Sequence, residues 1–400
     1  MKSIKEVYKI GRGPSSSHTM GPEKAVKLFK AENPDVASYK VILYGSLAET
    51  GKGHCTDRAI IEGFAPIHCD IEWNCDHSVK LPHENTMDIF AYDADGKETA
   101  HERVMSVGGG DIVIEGREQD ASEEIYNEST YNEIAEICLN RNIRLSDYVF
   151  EHEGEGIYDY LANVWLVMMR SIDEGLTKRG TLPGGLNVER KAQYLYNQRH
   201  IDESSSTREN RIVCSYAFAA SEQNADCGTI VTAPTCGACA VLPSVLRYMS
   251  EQKGFDDKHI IRALAVAGLI GNIVKANASI SGAECGCQAE IGTACSMAAA
   301  ALCEMHEMGI GQIEYAAEVA LEHHLGLTCD PICGLVQIPC IERNAVAAMR
   351  AINALSLANF LSETRKISFD MVVRTMYETG KDLNSRYRET AEGGLAKTYR

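Results

Sequence analysis

Long apolar stretches dominate the later two thirds of the chain. They are rich in Ala, Leu, Ile and Met and occupy residues 156–174, 209–222, 258–275, 289–308, 312–323 and 342–361. Several are apolar on nearly every side of a helical projection, which is typical of helices in the middle of a bundle. The pattern predicts a mostly α-helical domain over residues 121–400.

Shorter β-rich runs mark the first part of the chain. They occupy residues 39–44, 67–73, 87–92, 103–107 and 112–114, and helical patterns occupy residues 23–30 and 56–63. Runs of this length rich in β-branched and aromatic residues indicate strands, and the sequence DADG at residues 93–96 indicates a turn. We predict a mixed α/β domain over residues 1–120 followed by the larger helical domain, which makes the protein α+β.

Charge and hydropathy narrow the classes of function. The formal net charge is −17, which argues against nucleic acid as a partner because phosphate backbones attract basic surfaces. No apolar segment follows the charged N-terminus, so no secretory signal is predicted. The longest uncharged run, residues 227–246, contains two prolines and two glycines, and it is better interpreted as a buried loop than as a membrane span. We expect the protein to be soluble and cytoplasmic and not to bind a membrane. We also expect it to form a homo-oligomer, namely a dimer.

Cysteine is the unusual component. The chain has fifteen cysteines, an odd number, and ten of them lie between Cys227 and Cys340. A disulfide framework is disfavoured without a secretory signal, and most of these thiols are expected to be small core residues. The group Cys287, Cys329, Cys333 and Cys340 has spacings unlike those of a zinc ribbon or a ferredoxin. These residues alone leave two interpretations open, a metal site and buried thiols.

Two further pairs of cysteines lie close together in the sequence and are candidates for a metal site. Cys236 and Cys239 have CxxC spacing, which redox motifs and zinc sites share. No convincing second half of a zinc site accompanies them, so packing near a loop is favoured. Cys285 and Cys287 are too close together to both face one metal, and one of the two is retained as a candidate.

Three segments rich in small and hydroxylated residues could clamp an anion. They are residues 11–21 (GRGPSSSHTMG), 234–243 (PTCGACAVLP) and 277–281 (NASIS). The candidate substrate ligands are Ser15, Ser16, Ser17, Thr19, Thr235, Asn277, Ser279 and Ser281. Exposed N–H groups and hydroxyls at a helix start favour an anion, but such residues also serve as caps and tight turns. Both interpretations stay open.

Histidines in loops supply candidate acid–base groups. His54 lies in GKGHCTD, His18 lies in the serine-rich loop and His83 lies in PHEN. A histidine in a loop is more often a solvated polar group than a catalyst, yet proton abstraction needs a base that titrates near neutrality. His54 and His18 are the catalytic candidates.

Taken together, these motifs resemble the iron–sulfur-dependent L-serine dehydratases over nearly the whole chain. The first domain is similar through IGRGPSSSHTMGP, SLAETGKGHCTD, LPHENTMD and SVGGG. The second is similar through GTLPGGLNVERKA, APTCGACAVLP, NASISGAECGCQAEIGTACSMAAA, LTCDPICGLVQIPCIERNA and TGKDLNSRYRETAEGGLA. The first domain also resembles an allosteric substrate-binding fold.

The resemblance implies conversion of L-serine to pyruvate and ammonia by β-elimination. It implies a [4Fe–4S] cluster held by Cys287, Cys329 and Cys340, with Cys295 and Cys333 as rivals, and no pyridoxal phosphate. It further implies an oxygen-sensitive active site shared by the two domains, with His54 as the leading acid–base group.

Other functions are compatible with these residues. The same elimination could act on L-cysteine or L-threonine, because one methyl group or one sulfur atom changes pocket energies by only about 1–3 kcal/mol. From a different class, the chain could be an iron–sulfur sensor without catalysis, or a structural zinc protein. A sensor would need a DNA-binding or partner module, and the acidic charge argues against one.

Overall fold

The structure is a computed structural model that describes residues 1–76, 78–117, 124–199, 202–389 and 393–399. The predicted domain boundary near residue 120 lies outside these residues. On either side of it the structure has two separate hydrophobic cores, one beneath a mixed sheet and one within a helical bundle.

In the described residues, seven strands form two sheets. They are β1 (Ile10–Arg12), β2 (Ser38–Tyr44), β3 (His68–Asn74), β4 (Thr86–Tyr92), β5 (Glu98–Gly108), β6 (Asp111–Ile114) and β7 (Thr229–Val231). Five of them form one sheet in the order β3-β2-β4-β5-β6, in which β2 and β3 are parallel and the other pairs are antiparallel. The five predicted strands are confirmed.

Sixteen α-helices lie in the described part of the chain. They are α1 (Gly21–Glu32), α2 (Gly45–Thr50), α3 (Thr56–Phe64), α4 (Tyr131–Arg141), α5 (Leu145–Glu153), α6 (Ile157–Thr177), α7 (Ala192–Asn197), α8 (Ser205–Ala225), α9 (Val241–Lys253), α10 (Asp257–Asn277), α11 (Gly282–Cys285), α12 (Thr293–Met305), α13 (Ile310–Glu322), α14 (Cys340–Leu361), α15 (Phe369–Asp382) and α16 (Gly394–Thr398).

The sheet has one face packed against α1 and α3. Along β2, Tyr39, Val41 and Leu43 are buried while the residues between them are partly exposed, as the two-residue period of a strand requires. Phe29 of α1 and Phe64 of α3 are fully buried against this face. The alternating pattern therefore positions the helices that follow the serine-rich loop.

The helical domain is built around α10 and α12. Residues 298–301 of α12 are four alanines without exposed surface, and such small side chains let neighbouring helices approach closely. Among the described residues, two helices are long and apolar enough to span a membrane, Asp257–Asn277 and Cys340–Thr364. In the folded protein 78% of the most apolar stretch of the first helix is buried, and 33% of that of the second. The first of these is a core helix of the bundle.

The first residues of the chain pack into the helical core rather than into the sheet domain. Ile4, Val7 and Tyr8 are fully buried there, and the Tyr8 hydroxyl donates a hydrogen bond to the Leu264 carbonyl oxygen at 2.8 Å. The chain therefore enters the first domain from within the second, and the two domains meet along residues 9–20.

One disulfide joins the two domains. It links Cys55 and Cys227, whose Cα atoms are 6.6 Å apart, while the other thirteen cysteines are free thiols.

Candidate active site

A cavity of about 70 Å³ lies where the two domains meet. One water molecule needs about 10–15 Å³ on this measure, so the cavity has room for a small polar ligand. The first domain contributes Pro14, Ser15, Ser16, Ser17 and Gly109 to its lining. The helical domain contributes Thr235, Cys236, Gly237, Ile280, Ser281, Gly282, Cys287, Glu290, Ile291, Cys329, Pro331, Val336, Cys340 and Glu389.

The two-stranded sheet brings two of the predicted loops together. Ile10 of β1 pairs with Val231 of β7, and Arg12 pairs with Thr229. The serine-rich loop follows β1, and the loop with Thr235 follows β7, so antiparallel pairing fixes both beside the cavity. A hydrogen bond joins the two loops directly, because the backbone N–H of Cys236 donates to the Ser16 hydroxyl at 3.3 Å.

The serine-rich loop serves as a cap as well as a wall of the cavity. Residues 16–20 form one turn of π-helix ahead of α1, and the Ser15 hydroxyl accepts the His18 N–H at 3.1 Å. Thr19 accepts the Ser15 N–H through its hydroxyl and donates to the His54 carbonyl oxygen, and it does not line the cavity. The capping interpretation is therefore confirmed for Ser15, whose side chain still reaches the cavity.

Three cysteines from separate segments meet at the opposite wall. Cys287 precedes a π-helical turn at residues 288–292, Cys340 is the first residue of α14, and Cys329 lies in an extended segment. The sulfur atoms of Cys287 and Cys329 and a carboxylate oxygen of Glu290 all lie within 4.8 Å of one another, a group that could hold a metal ion.

The rival cysteines lie elsewhere. Cys295 is buried in α12 and its thiol donates to the Ala347 carbonyl oxygen at 3.2 Å, whereas Cys333 is exposed and has a left-handed backbone with φ 53°. Neither lines the cavity. Cys285, the alternative to Cys287, is also buried outside the cavity lining.

Cys287, Cys329 and Cys340 are buried thiols that could bind a metal only after they lose their protons. A hydrogen bond with Cys287 and burial raise the pKa of Cys329, and burial and the nearby Cys287 raise the pKa of Cys340. Without a cation these side chains stay protonated at neutral pH, whereas a bound metal would hold them as thiolates. Three thiolates from separate segments suit an iron–sulfur cluster.

The two candidate histidines lie side by side behind the serine-rich loop. Their ring centroids are 4.6 Å apart, and both rings are buried. His18 Nδ1 is 2.9 Å from the hydroxyl of Ser17, which lines the cavity, and His18 Nε2 is 2.9 Å from the Ser46 hydroxyl. His18 therefore has a hydrogen-bonded link to the cavity, whereas His54 lies beside His18 and does not line the cavity.

His54 is held in one tautomer by its surroundings. Its Nδ1 lies 3.1 Å from the Thr50 carbonyl oxygen, and because a carbonyl can only accept, Nδ1 carries the proton and Nε2 is the basic atom of the neutral ring. Burial lowers the pKa of His54 to about 4, while hydrogen bonds with the backbone of Thr50 and Gly334 oppose the shift. The ring is therefore neutral at pH 7.

Besides Thr19, two other predicted substrate ligands, Asn277 and Ser279, lie away from the cavity. The side-chain amide of Asn277 donates to the carbonyl oxygens of Ser129 and Ile273, and the Ser279 hydroxyl donates to Glu284 at 2.6 Å. Ser281 does line the cavity. Residues 277–281 thus supply mainly a helix end and a turn, the second of the two interpretations left open for them.

Sequence reasoning missed the two carboxylates of the cavity, Glu290 and Glu389, and set Cys236 aside. Glu290 could have been noticed, because it is the single charged residue between Glu284 and Glu304. Glu389 could not, since it reaches the cavity only through backbone pairing of its N–H with the Cys329 carbonyl oxygen at 2.8 Å. Removal from bulk water raises the pKa of Glu290, against the effects of Thr235 and Arg343.

Fold and site define a two-domain protein with a thiol-lined, ligand-sized cavity between a small α/β domain and a helical bundle. The family model described as "Serine dehydratase beta chain" matches residues 3–76, and the one described as "Serine dehydratase alpha chain" matches residues 95–396. The chain belongs to the serine dehydratase family, with both parts joined in one polypeptide.

Curated relatives align over nearly their whole length. L-serine dehydratase 2 of Escherichia coli (strain K12) is 42% identical over 449 aligned positions, which cover 99% of this chain and 98% of the relative. The L-serine dehydratase of Streptomyces coelicolor is 40% identical, with 98% of each chain covered. That of Helicobacter pylori (strain ATCC 700392 / 26695) is 37% identical, with 99% and 98% covered.

Proposed function

We propose that this protein is an L-serine dehydratase, a carbon–nitrogen lyase that converts L-serine to pyruvate and ammonia with a [4Fe–4S] cluster. The observation that carries the proposal is the meeting of Cys287, Cys329 and Cys340 with the serine-rich loop at one small cavity. Relatives named L-serine dehydratase over the full length of the chain support it.

The three cysteines would hold the cluster, which would supply a Lewis acid that makes the substrate hydroxyl a better leaving group. Hydroxyl groups surround the remaining space, and those of Ser15, Ser17 and Ser281 can donate hydrogen bonds to the substrate carboxylate. The other two predicted ligands have partners within the protein, because the Ser16 hydroxyl donates to the Cys236 sulfur and the Thr235 hydroxyl donates to Glu290. Such donors stabilise the negative charge that develops when the Cα proton leaves.

A histidine takes the Cα proton in this proposal. His54 is the proposed final acceptor, but it does not line the cavity. The neighbouring His18, whose Nδ1 is 2.9 Å from the Ser17 hydroxyl, would relay the proton to it. Loss of the proton and of the β-hydroxyl as water gives aminoacrylate, which tautomerises to the imine. Hydrolysis of the imine releases ammonia and pyruvate, and every atom of L-serine is accounted for.

The test of the proposal is purification without oxygen, followed by an iron and sulfide count and a pyruvate assay. We expect about four irons and four sulfides per chain, as a [4Fe–4S] cluster requires. Activity should be highest with L-serine, and L-threonine (followed as 2-oxobutanoate) and L-cysteine serve as comparison substrates. Zinc in place of iron, or full activity in aerated buffer containing a chelator, would contradict the proposal.

We further propose a cytoplasmic homodimer. Helix α14 supports this, because Val346 and Phe360 are 60% and 78% exposed on its outer face, and large exposed apolar side chains on one face often mark a subunit contact. Light scattering that gives the mass of one chain would contradict the dimer.

A further inference from the structure

The residues that line the cavity favour a ligand with a positively charged group. Two carboxylates, Glu290 and Glu389, and four thiols line it, whereas none of its described lining residues is Lys, Arg or His. The hydroxyl groups beside Ser15–Ser17 are neutral donors. A zwitterionic ligand would therefore turn its carboxylate toward the hydroxyls and its cationic end toward a glutamate.

Glu290 is the better placed of the two carboxylates. Its Oε1 accepts a hydrogen bond from the Thr235 hydroxyl at 2.7 Å, which fixes the side chain. Its Oε2 accepts no hydrogen bond from the described part of the chain, so it is available to a ligand. The carboxyl group of Glu389 hydrogen-bonds the backbone of Ala283, and its removal from water raises the pKa of Glu389 to about 8, so this group carries little negative charge at neutral pH.

Two glycines make room for this carboxylate. A Cβ atom added to Gly282 would lie 2.6 Å from Glu290 Oε2 and 3.1 Å from the Cys329 sulfur, and one added to Gly237 would lie 3.3 Å from Oε1. Both glycines line the cavity. The free oxygen of Glu290 thus lies beside the proposed cluster ligands, within an enclosed space that a larger residue at position 282 would close.

We propose that Glu290 binds the α-ammonium group of the amino acid substrate and selects for that group. The inference rests on the proposed function, and it assigns a role to the chain's own residue. An ammonium ion offers three donors, and a hydrogen bond between ionised groups is about twice as strong as a neutral one. Glu290 would thereby discriminate amino acids from acids that lack the amino group.

The experiment compares two inert ligands that differ by that group alone, L-alanine and propionate. Their affinities for anaerobically purified protein are measured by calorimetry and as inhibition constants against L-serine. In E290Q we expect the affinity for L-alanine to fall about ten- to a hundredfold, the effect of losing a hydrogen bond to a charged group. The affinity for propionate should stay within about twofold.

Matched variants separate recognition from structure. E284Q changes an exposed neighbouring glutamate that does not line the cavity, and it should behave as the wild type. E290D keeps the charge and should recover part of the preference for L-alanine. If E290Q does not fold, T235V replaces it, because loss of the hydroxyl frees the same carboxylate and should weaken L-alanine more than propionate.

Three results would overturn the inference. They are equal losses for L-alanine and propionate, no loss for either ligand, and loss of iron from E290Q, which would make Glu290 a metal ligand instead. Failure of the proposed function looks different: the wild type would then form no pyruvate from L-serine, while the calorimetric comparison of the two ligands would still report on Glu290.

Discussion

The C329S variant, purified without oxygen, is expected to be colourless and to form pyruvate more than about a hundredfold more slowly than the wild type. Loss of groups that merely support a metal ligand already costs about 10–100-fold, and the ligand itself should cost more. Serine fits the buried space of Cys329, so the fold should survive. Iron and sulfide content, visible absorption and the pyruvate assay measure the effect.

The matched control is C333S. Cys333 lies between Cys329 and Cys340 in sequence, but it is exposed and outside the cavity lining, so its replacement should change neither iron content nor rate. A brown, active C329S protein, or a colourless C333S protein, would show that the cluster is held by a different set of thiols.

The second large effect is expected for H54A, with turnover reduced by about two to four orders of magnitude, the usual contribution of general acid–base catalysis. Iron content should not change, because His54 is not among the proposed cluster ligands. H68A is the control, since His68 is an exposed residue of β3 that pairs with Asp70. If H54A stayed near wild-type activity while H18A lost it, His18 would be the base.

The pH dependence of stability should change with the same substitution. The unfolded His54 ring titrates near pH 6.5, whereas burial keeps the folded ring neutral down to about pH 4. Between these values the unfolded chain binds a proton that the folded protein does not, so the free energy of unfolding falls as the pH falls. His18 acts in the same direction. Between about pH 7 and pH 5, H54A should lose less stability than the wild type, measured by urea denaturation.

The strands and the long helices could be predicted from the local pattern of apolar and polar residues. The prediction of a strand at residues 39–44 matches Ser38–Tyr44, and a helix at 342–361 matches Cys340–Leu361. The predicted helix at 289–308 is divided into a π-helical turn at residues 288–292 and α12. A single π-helical turn has no period of its own in the sequence, and this turn carries Glu290.

The position of the cavity could not be predicted from the sequence, because it is formed by contacts between segments that are far apart along the chain. β1 and β7 are three residues each, too short to show alternation, yet their pairing brings Ser16 to Cys236 across 220 positions. The side chain of Asn277 could bind a carboxylate, but it is not available to a ligand in the cavity. Its amide group instead donates hydrogen bonds to two backbone carbonyl oxygens at the end of α10.

The sequence by itself determined the order of the two domains, the positions of most strands and core helices, and the motifs that place the chain among the serine dehydratases. Those features depend on residues within a few positions of one another, whose periodicity and composition are visible in the chain. The tertiary structure alone decided which of fifteen cysteines share a cavity, that His18 lies between His54 and that cavity, and that Glu290 faces it. These facts depend on pairing between distant segments, and such pairing is fixed by packing of the whole core.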